Sequence, residues 1–423
     1  MKKNISDQSK YLMQTTVTII RFIVIYSQFT ILYLHNVVEV NAAPSTQQSN
    51  QSHQLNCVVI IDAGSTGSKV LAAAFKKKDG SYLLDNYIFK REEGGLAEYA
   101  DDEKKREDII RHLLEQAEDF MNKNPHCART PLLLRATAGL RMLNEKSDEI
   151  INQVKRIFGE YSAIFQVDDN SVEIMDGSDE GLFAWFTVNY LLKRLEDLEN
   201  SVAVLDLGGA SLQITFYPTD DKKIPMNTSF IKEYAIMGKT KKLYNQSYLG
   251  FGYKAVRTKV FKSVDNSKIN YTSPCQHTAD QVSYSFNLIN YSITAENAER
   301  SPDLHYLNCK NYIENIVKET VEPVHLNKNI VAISFFYYQA LNAEMIDEHG
   351  GDVTLQQFEK VAKKCFDQEF DRKNPFKCFD LIYIYVLFLQ GFGFPDDTPI
   401  TFKKYINNFQ LSWPLGAAYQ ALQ

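Results

Sequence analysis

Val59-Ile60-Ile61-Asp62-Ala63-Gly64-Ser65-Thr66 returns 144 positions later as Ala203-Val204-Leu205-Asp206-Leu207-Gly208-Gly209-Ala210. Each copy is an apolar strand run, then Asp-x-Gly, then small residues, and each is followed by a second apolar run, at 69–75 and at 212–217. Two such hairpins at domain spacing indicate a duplicated domain. A tight turn of Gly, Ser and Thr lets backbone N–H groups converge on an anion, because only small residues permit that approach. Two turns facing each other across a cleft can therefore grip successive phosphates, through Gly64, Ser65 and Thr66 on one side and Gly208, Gly209 and Ala210 on the other. Asp62 and Asp206, at the ends of their strands, flank the same cleft and suit Mg²⁺ or Ca²⁺ held through water. The plainer alternative, an Asp that only caps its turn, accounts for one copy more readily than for two with matched glycines.

Working outward, Asp176-Gly177-Ser178-Asp179-Glu180-Gly181 opens a helix expected over 181–192. Acidic residues there complement the helix dipole, yet hydrolysis also needs one carboxylate as a base beside an attacking water. Arg135-Ala136-Thr137-Ala138-Gly139-Leu140-Arg141 joins a buried strand to a helix. Its Thr137 hydroxyl can meet a phosphate or a metal-bound water, and its arginines either supply positive potential or pair with surface acids. The aromatic run Phe335-Phe336-Tyr337-Tyr338 and Phe392 of Gly391-Phe392-Gly393-Phe394 are candidates for stacking on a nucleobase, although aromatic runs in helices are more often core. The eight histidines show no H-x-x-x-H spacing, and no serine sits in a G-x-S-x-G elbow.

Strands and helices alternate after residue 55, an α/β pattern. The stretch 218–305 reads as irregular surface, and helical spacing returns at 310–320, 335–346, 354–370 and 379–390. The net charge of −6 argues against nucleic acid as a partner. At the N-terminus a basic stretch precedes the apolar run Phe22 to Leu34, with Ala42 and Ala43 beyond it. That pattern fits either a cleaved signal peptide or a signal anchor over 1–42, the only membrane attachment expected, followed by a polar linker at 43–55. Either delivers the body of the chain to the secretory lumen. Sequons at Asn50, Asn227, Asn245, Asn270 and Asn290 agree with that compartment. Six cysteines without C-x-x-C spacing suggest disulfides Cys275–Cys309 and Cys365–Cys378, with Cys57 a buried thiol inside its strand.

Taken together, these blocks resemble the GDA1/CD39-type nucleoside phosphatases, the apyrases or ectonucleoside triphosphate diphosphohydrolases. The blocks are IDAGSTGSK from Ile61, LRATAGLR from Leu134, MDGSDEGLFAW from Met175 and LDLGGASLQITF from Leu205, with SYLGFG from Ser247 and SWPLGAAY from Ser412. EMIDEHGG from Glu344, and Gly67 where cell-surface members tend to carry His, look most like the soluble endoplasmic reticulum and Golgi nucleoside-diphosphatase branch. The resemblance implies an actin/Hsp70-like α/β ATPase fold of two RNase-H-like domains, 56–172 plus 400–423 and 173–399, with the active site between them. It implies Glu180 as general base, Ser211 and Gln213 orienting the water, and Asp62 and Asp206 holding Ca²⁺ or Mg²⁺ through its hydration shell, with Thr137 completing that network. Tyr337 or Tyr338, with Phe392, would flank the base. The implied activity is removal of the terminal phosphate of UDP or GDP in preference to triphosphates, with a broad extracellular ATP/ADP apyrase as the alternative. A non-catalytic nucleotide-binding protein, or a sugar kinase or Hsp70-like ATPase on the same scaffold, is the more distant rival. Lys69 stands where Arg is common in this family, and Leu212 where Thr is common.

Overall fold

In the computed structural model, residues 55–127, 129–218, 228–264 and 269–423 are described. The expected leader, most of the linker and the sequons at Asn50 and Asn227 lie outside the described residues. Strand β1 (Asn56–Ala63) is buried from Cys57 onward, as a β-branched run covered on both faces must be. It pairs antiparallel with β2 (Gly67–Lys78), and β2 with β3 (Ser81–Glu93). Helix α1 (Glu103–Lys123) starts where the Asp102 carboxylate accepts from the Lys105 amide, and it buries Ile109, Ile110, Leu113, Leu114, Ala117 and Phe120. Strand β4 (Leu132–Ala136) then runs parallel to β1, followed by the short α2 (Ala138–Arg141), α3 (Glu145–Glu160) and β5 (Val172–Ile174). The sheet order is β3-β2-β1-β4-β5.

The second half repeats this plan. After α4 (Gly177–Leu191), β6 (Ala203–Leu207) and β7 (Ser211–Phe216) form the second hairpin. Beyond it come β8 (Ile231–Ile236), β9 (Lys239–Leu249), α5 (Tyr253–Val264) and a small sheet of β10 (Asn270–Ser273), β11 (Val282–Phe286) and β12 (Ile289–Ala295). Next follow α6 (Pro302–Lys318), β13 (Ile330–Ser334), α7 (Phe335–Asn342), β14 (Gly351–Thr354), α8 (Leu355–Cys365), α9 (Lys377–Val386) and β15 (Pro399–Phe402). The second sheet reads β14-β15-β13-β6-β7-β9-β8. Its inner five strands, β9-β7-β6-β13-β15, reproduce the first sheet: an antiparallel trio, then two strands parallel to the hairpin's first strand.

The chain ends in α10 (Pro414–Gln420), which returns to pack on α4, β1 and β2. A core containing Val58, Ile60 and Leu71 of the first sheet, Val204, Val331 and Ile333 of the second, and Trp185 and Leu415 from the helices joins the two sheets. Residues 54–423 thus form one compact unit. Two expected boundaries cut through strands. β5 hydrogen-bonds to β4, so 173–174 belong with the first sheet, and β15 lies beside β13, so 400–402 belong with the second.

The described residues within 218–305 are not irregular surface, as their polarity suggested. β9 completes the second sheet: its lysines face water while Leu243, Tyr244 and Asn245 are buried. Cys57 is not a free thiol either. It is bonded to Cys127, alongside Cys275–Cys309 and Cys365–Cys378. Asn270 and Asn290 are exposed, whereas Asn245 is 1% exposed, so its sequon is closed to modification in the folded chain.

Candidate active site

Because the hairpins are duplicated, the two Asp-x-Gly turns meet. A Cβ placed on Gly209 would lie 2.6 Å from Ser65 Oγ and 2.6 Å from Thr66 Cγ2, so a side chain there would force those two to move. A cavity of about 440 Å³ opens beside this contact, lined by Asp62, Gly64, Ser65 and Thr66 of one turn and Asp206, Gly208, Gly209 and Ser211 of the other. Thr137, Glu180, Tyr337 and Tyr338 also line it. Ala210 does not line this cavity; its carbonyl accepts from the Gly250 amide at 2.8 Å, in the turn between β9 and α5.

Glu180 sits in the first turn of α4, whose start is fixed by Asp176 accepting from the Ser178 amide at 2.8 Å. Asp176 therefore does only the capping expected of such a run, and those bonds hold its carboxyl below the usual range. Of the three acids, Glu180 alone reaches the cavity. Arg141 Nη2 donates to Glu180 Oε2 at 2.9 Å, and Arg141 Nη1 to the Met175 carbonyl at 2.6 Å. Gln213 Nε2 is shared among Ser211 Oγ at 2.9 Å, Ser247 Oγ at 3.0 Å and Glu180 Oε2 at 3.3 Å. Burial pushes the Glu180 carboxyl up to about 7; Arg141 opposes that rise, while Asp206 and Asp62 add to it. A carboxylate so tuned accepts a proton near neutral pH. Gln213 Oε1 is buried with no protein partner, an acceptor that can orient a water for Glu180.

The two aspartates face the same space. Asp62 Oδ2 accepts from Lys69 Nζ at 3.0 Å, while its Oδ1 is buried with no protein partner. Burial raises the Asp206 carboxyl, and a hydrogen bond from Ser334 opposes this. Ser334 holds a left-handed backbone, φ 60°, at the start of α7, and strain of this kind persists where the surrounding structure enforces it. Two hard oxygen donors, one of them with a free buried oxygen, fit a hydrated Ca²⁺ or Mg²⁺. No three His, Cys, Asp or Glu side chains among the described residues form a group that could hold a metal ion. The Thr137 hydroxyl makes no helix-capping bond and lines the same cavity.

The nucleobase candidates divide. Tyr337 and Tyr338 line the cavity; the Tyr337 hydroxyl donates to the Glu348 carbonyl at 2.9 Å, and Lys404 Nζ lies 5.2 Å from the Tyr338 ring centre. Phe392 does not reach it. Its ring is fully buried against Tyr248 and Phe394, so it is a core residue rather than a base platform. Sequence reasoning misses Tyr253, which lines the cavity stacked on Phe335 of the aromatic run, ring centroids 3.6 Å apart. Ser247 is legible in the sequence only as part of the SYLGFG block, and the sequence alone leaves both a functional and a surface role open to Arg141.

Three comparisons bear on this geometry. The profile of the GDA1/CD39 (nucleoside phosphatase) family matches residues 47–423. The chain is 34% identical over 394 residues to ectonucleoside triphosphate diphosphohydrolase 5 of Gallus gallus, covering 90% of each. It is 33% identical over 405 residues to the nucleoside diphosphate phosphatase ENTPD5 of Homo sapiens, covering 93% of this chain and 91% of that one. Among solved structures, a nucleoside triphosphate hydrolase of Neospora caninum superposes with a TM-score of 0.62 at 15% identity, covering 87% of this chain and 92% of that one. This last likeness speaks to fold alone, and the fold is the expected two-sheet, actin/Hsp70-like α/β architecture.

Proposed function

Since the chain belongs to the GDA1/CD39 (nucleoside phosphatase) family, we propose that it hydrolyses the terminal phosphoanhydride of nucleoside diphosphates, with UDP and GDP preferred and triphosphates turned over more slowly. The observation that carries this reading is the convergence of Glu180, Ser211 and Gln213 on one side of two abutting phosphate-type turns. The relatives' own names, a diphosphate phosphatase among them, support the substrate class.

In this reading the turns at Gly64–Thr66 and Gly208–Gly209 hold the phosphates through backbone N–H groups. Ser211 and Gln213 orient a water toward the terminal phosphorus. Glu180 takes its proton as the water oxygen bonds to phosphorus and the bond to the bridging oxygen breaks, leaving inorganic phosphate and a nucleoside monophosphate. No covalent phosphoenzyme forms. Asp62 and Asp206 would hold a divalent ion through water, with Thr137 in the same network, and that ion supplies charge neutralisation on the phosphate oxygens. Tyr337 or Tyr338 offers a flat face to the base, as do Tyr253 and Phe335.

Three disulfides support an oxidising compartment, and we assign the chain to the secretory pathway, retained or exported. No helix among the described residues is long and apolar enough to cross a membrane. The test is phosphate release from UDP, GDP, ADP, ATP and AMP, each with Ca²⁺, Mg²⁺ or EDTA. Metal-dependent release from UDP and GDP with little from ATP supports the diphosphatase. Strong ATP turnover moves the assignment to a broad apyrase, and no release from any nucleotide refutes hydrolysis.

A further inference from the structure

The duplication of the hairpin extends one residue deeper than the turns. Seven positions after Asp62 stands Lys69, and seven after Asp206 stands Gln213; each is the residue directly across the strand pair from its aspartate. In the second hairpin this position belongs to the reaction apparatus described above. In the first it holds a cation. Lys69 Nζ donates to Asp62 Oδ2 at 3.0 Å, with the aspartate side chain 2% exposed and the lysine 24% exposed on the cavity wall.

From this pairing we infer that Lys69 is a built-in counter-ion that competes with the divalent cation for Asp62 and couples cation binding to nucleotide binding. The inference rests on the metal-dependent reading above. An ammonium 3.0 Å from Asp62 Oδ2 repels a dication drawn to the same carboxylate, and within a shielded cleft that repulsion is weakly screened. The ion's entry is therefore disfavoured until the ammonium has another acceptor. Lys69 lines the cavity with the phosphate turns, and a nucleotide phosphate there is such an acceptor. Lysine suits the exchange because its charge sits on a flexible stem with rotatable donors, whereas arginine holds a carboxylate in a planar fork. Coupling of this kind is reciprocal: the phosphate that draws Lys69 away strengthens the cation site, and the cation that releases Lys69 strengthens phosphate binding.

The test is calorimetric titration of the folded chain with CaCl₂ alone and, separately, with UDP in EDTA. Lys69→Gln places in the first hairpin the side chain that the second carries, and Lys69→Met is a second neutral variant should the amide disturb folding. With the charge gone, Ca²⁺ alone is expected to bind about ten-fold tighter, and UDP in EDTA about ten-fold weaker. Lys69→Arg keeps the charge and is expected to keep Ca²⁺ binding weak. Unchanged or weaker Ca²⁺ binding in both neutral variants overturns the inference. If the unaltered chain binds neither Ca²⁺ nor UDP, the metal-dependent reading itself fails and the inference falls with it, a result separable from normal binding that the substitutions leave untouched.

Discussion

Arg141 holds Glu180 in a 2.9 Å ion pair although the two residues lie on different elements, α2 of the first half and α4 of the second. The proposed base is thus tuned from across the duplication, by a cation that lowers its proton affinity against the burial that raises it.

Glu180→Gln keeps the shape of the site and removes the base. The expected loss in kcat is about 10²- to 10⁴-fold, with nucleotide affinity in the presence of Ca²⁺ little changed. Phosphate release set beside calorimetric UDP binding checks it; equal losses in both would point to damaged binding instead.

The Glu180 carboxyl, pushed up to about 7, gives activity and stability opposite pH slopes. As a base it works only when ionised, so kcat/KM should rise with pH along an acid limb, and a dication offsetting the charges of Asp206 and Asp62 should set that limb below the metal-free value of about 7. Its folded value exceeds the ordinary 4.5, so the folded chain holds the proton more tightly. That stabilising contribution is complete below about 4.5 and is lost as pH rises through about 7. Thermal melts of the metal-free chain across this window should show the decline, and Glu180→Gln should flatten it.

Arg141→Met removes the neighbour that lowers the Glu180 carboxyl. The acid limb of the pH–rate profile should move to higher pH, with activity well below its midpoint down by about ten-fold for each unit of displacement. A uniform drop without displacement would mean that Arg141 acts elsewhere.

Asn245 Nδ2 donates to the Ser178 carbonyl at 2.6 Å and to Tyr234 Oη at 2.7 Å, and its Oδ1 accepts from Thr215 Oγ1 at 2.9 Å. Asn245→Ala removes all three bonds and strands the buried Thr215 hydroxyl, and should cost about 1–3 kcal/mol in chemical denaturation. Site-resolved mass spectrometry of the folded glycoprotein should find any described-region glycan on Asn270 or Asn290 and none on Asn245.

Cys57–Cys127 closes a loop of 70 residues, worth about 4 kcal/mol in the chain-entropy treatment. Cys57→Ala with Cys127→Ala should lower the thermal midpoint clearly more than loss of Cys365–Cys378, whose loop is 13 residues.

The hairpins were legible because their signal is local: an apolar run, an Asp and a glycine turn are contiguous in sequence, and the repeat announced the second copy. The expected residues at Glu180, Ser211, Gln213 and Thr137 meet in one place because the motifs carrying them are short and rigidly mounted. What escaped was set by distant packing. β9 carries its lysines at its leading end, 239–242, and that polar start masks the buried run Leu243–Asn245 behind it. Cys57 finds Cys127 only because the segment after α1 returns beside the start of β1, as the Leu55–Cys127 bridge shows. Phe392 follows a π-helical turn at Leu387–Gly391 that aims it inward, a rotation invisible to helical spacing. Tyr253 lies far in sequence from the aromatic run and meets Phe335 only in the folded chain, where the starts of α5 and α7 come together.

The absence of a side chain on Gly209, where Ser65 and Thr66 crowd in, sets a steric veto between the copies. A single methyl there would act as a wedge between the jaws, altering the span offered to a phosphate chain without touching any charged group. At this one position a turn can gain bulk only if Ser65 and Thr66 of the other yield room, so the two halves share a single steric constraint at the point where they touch.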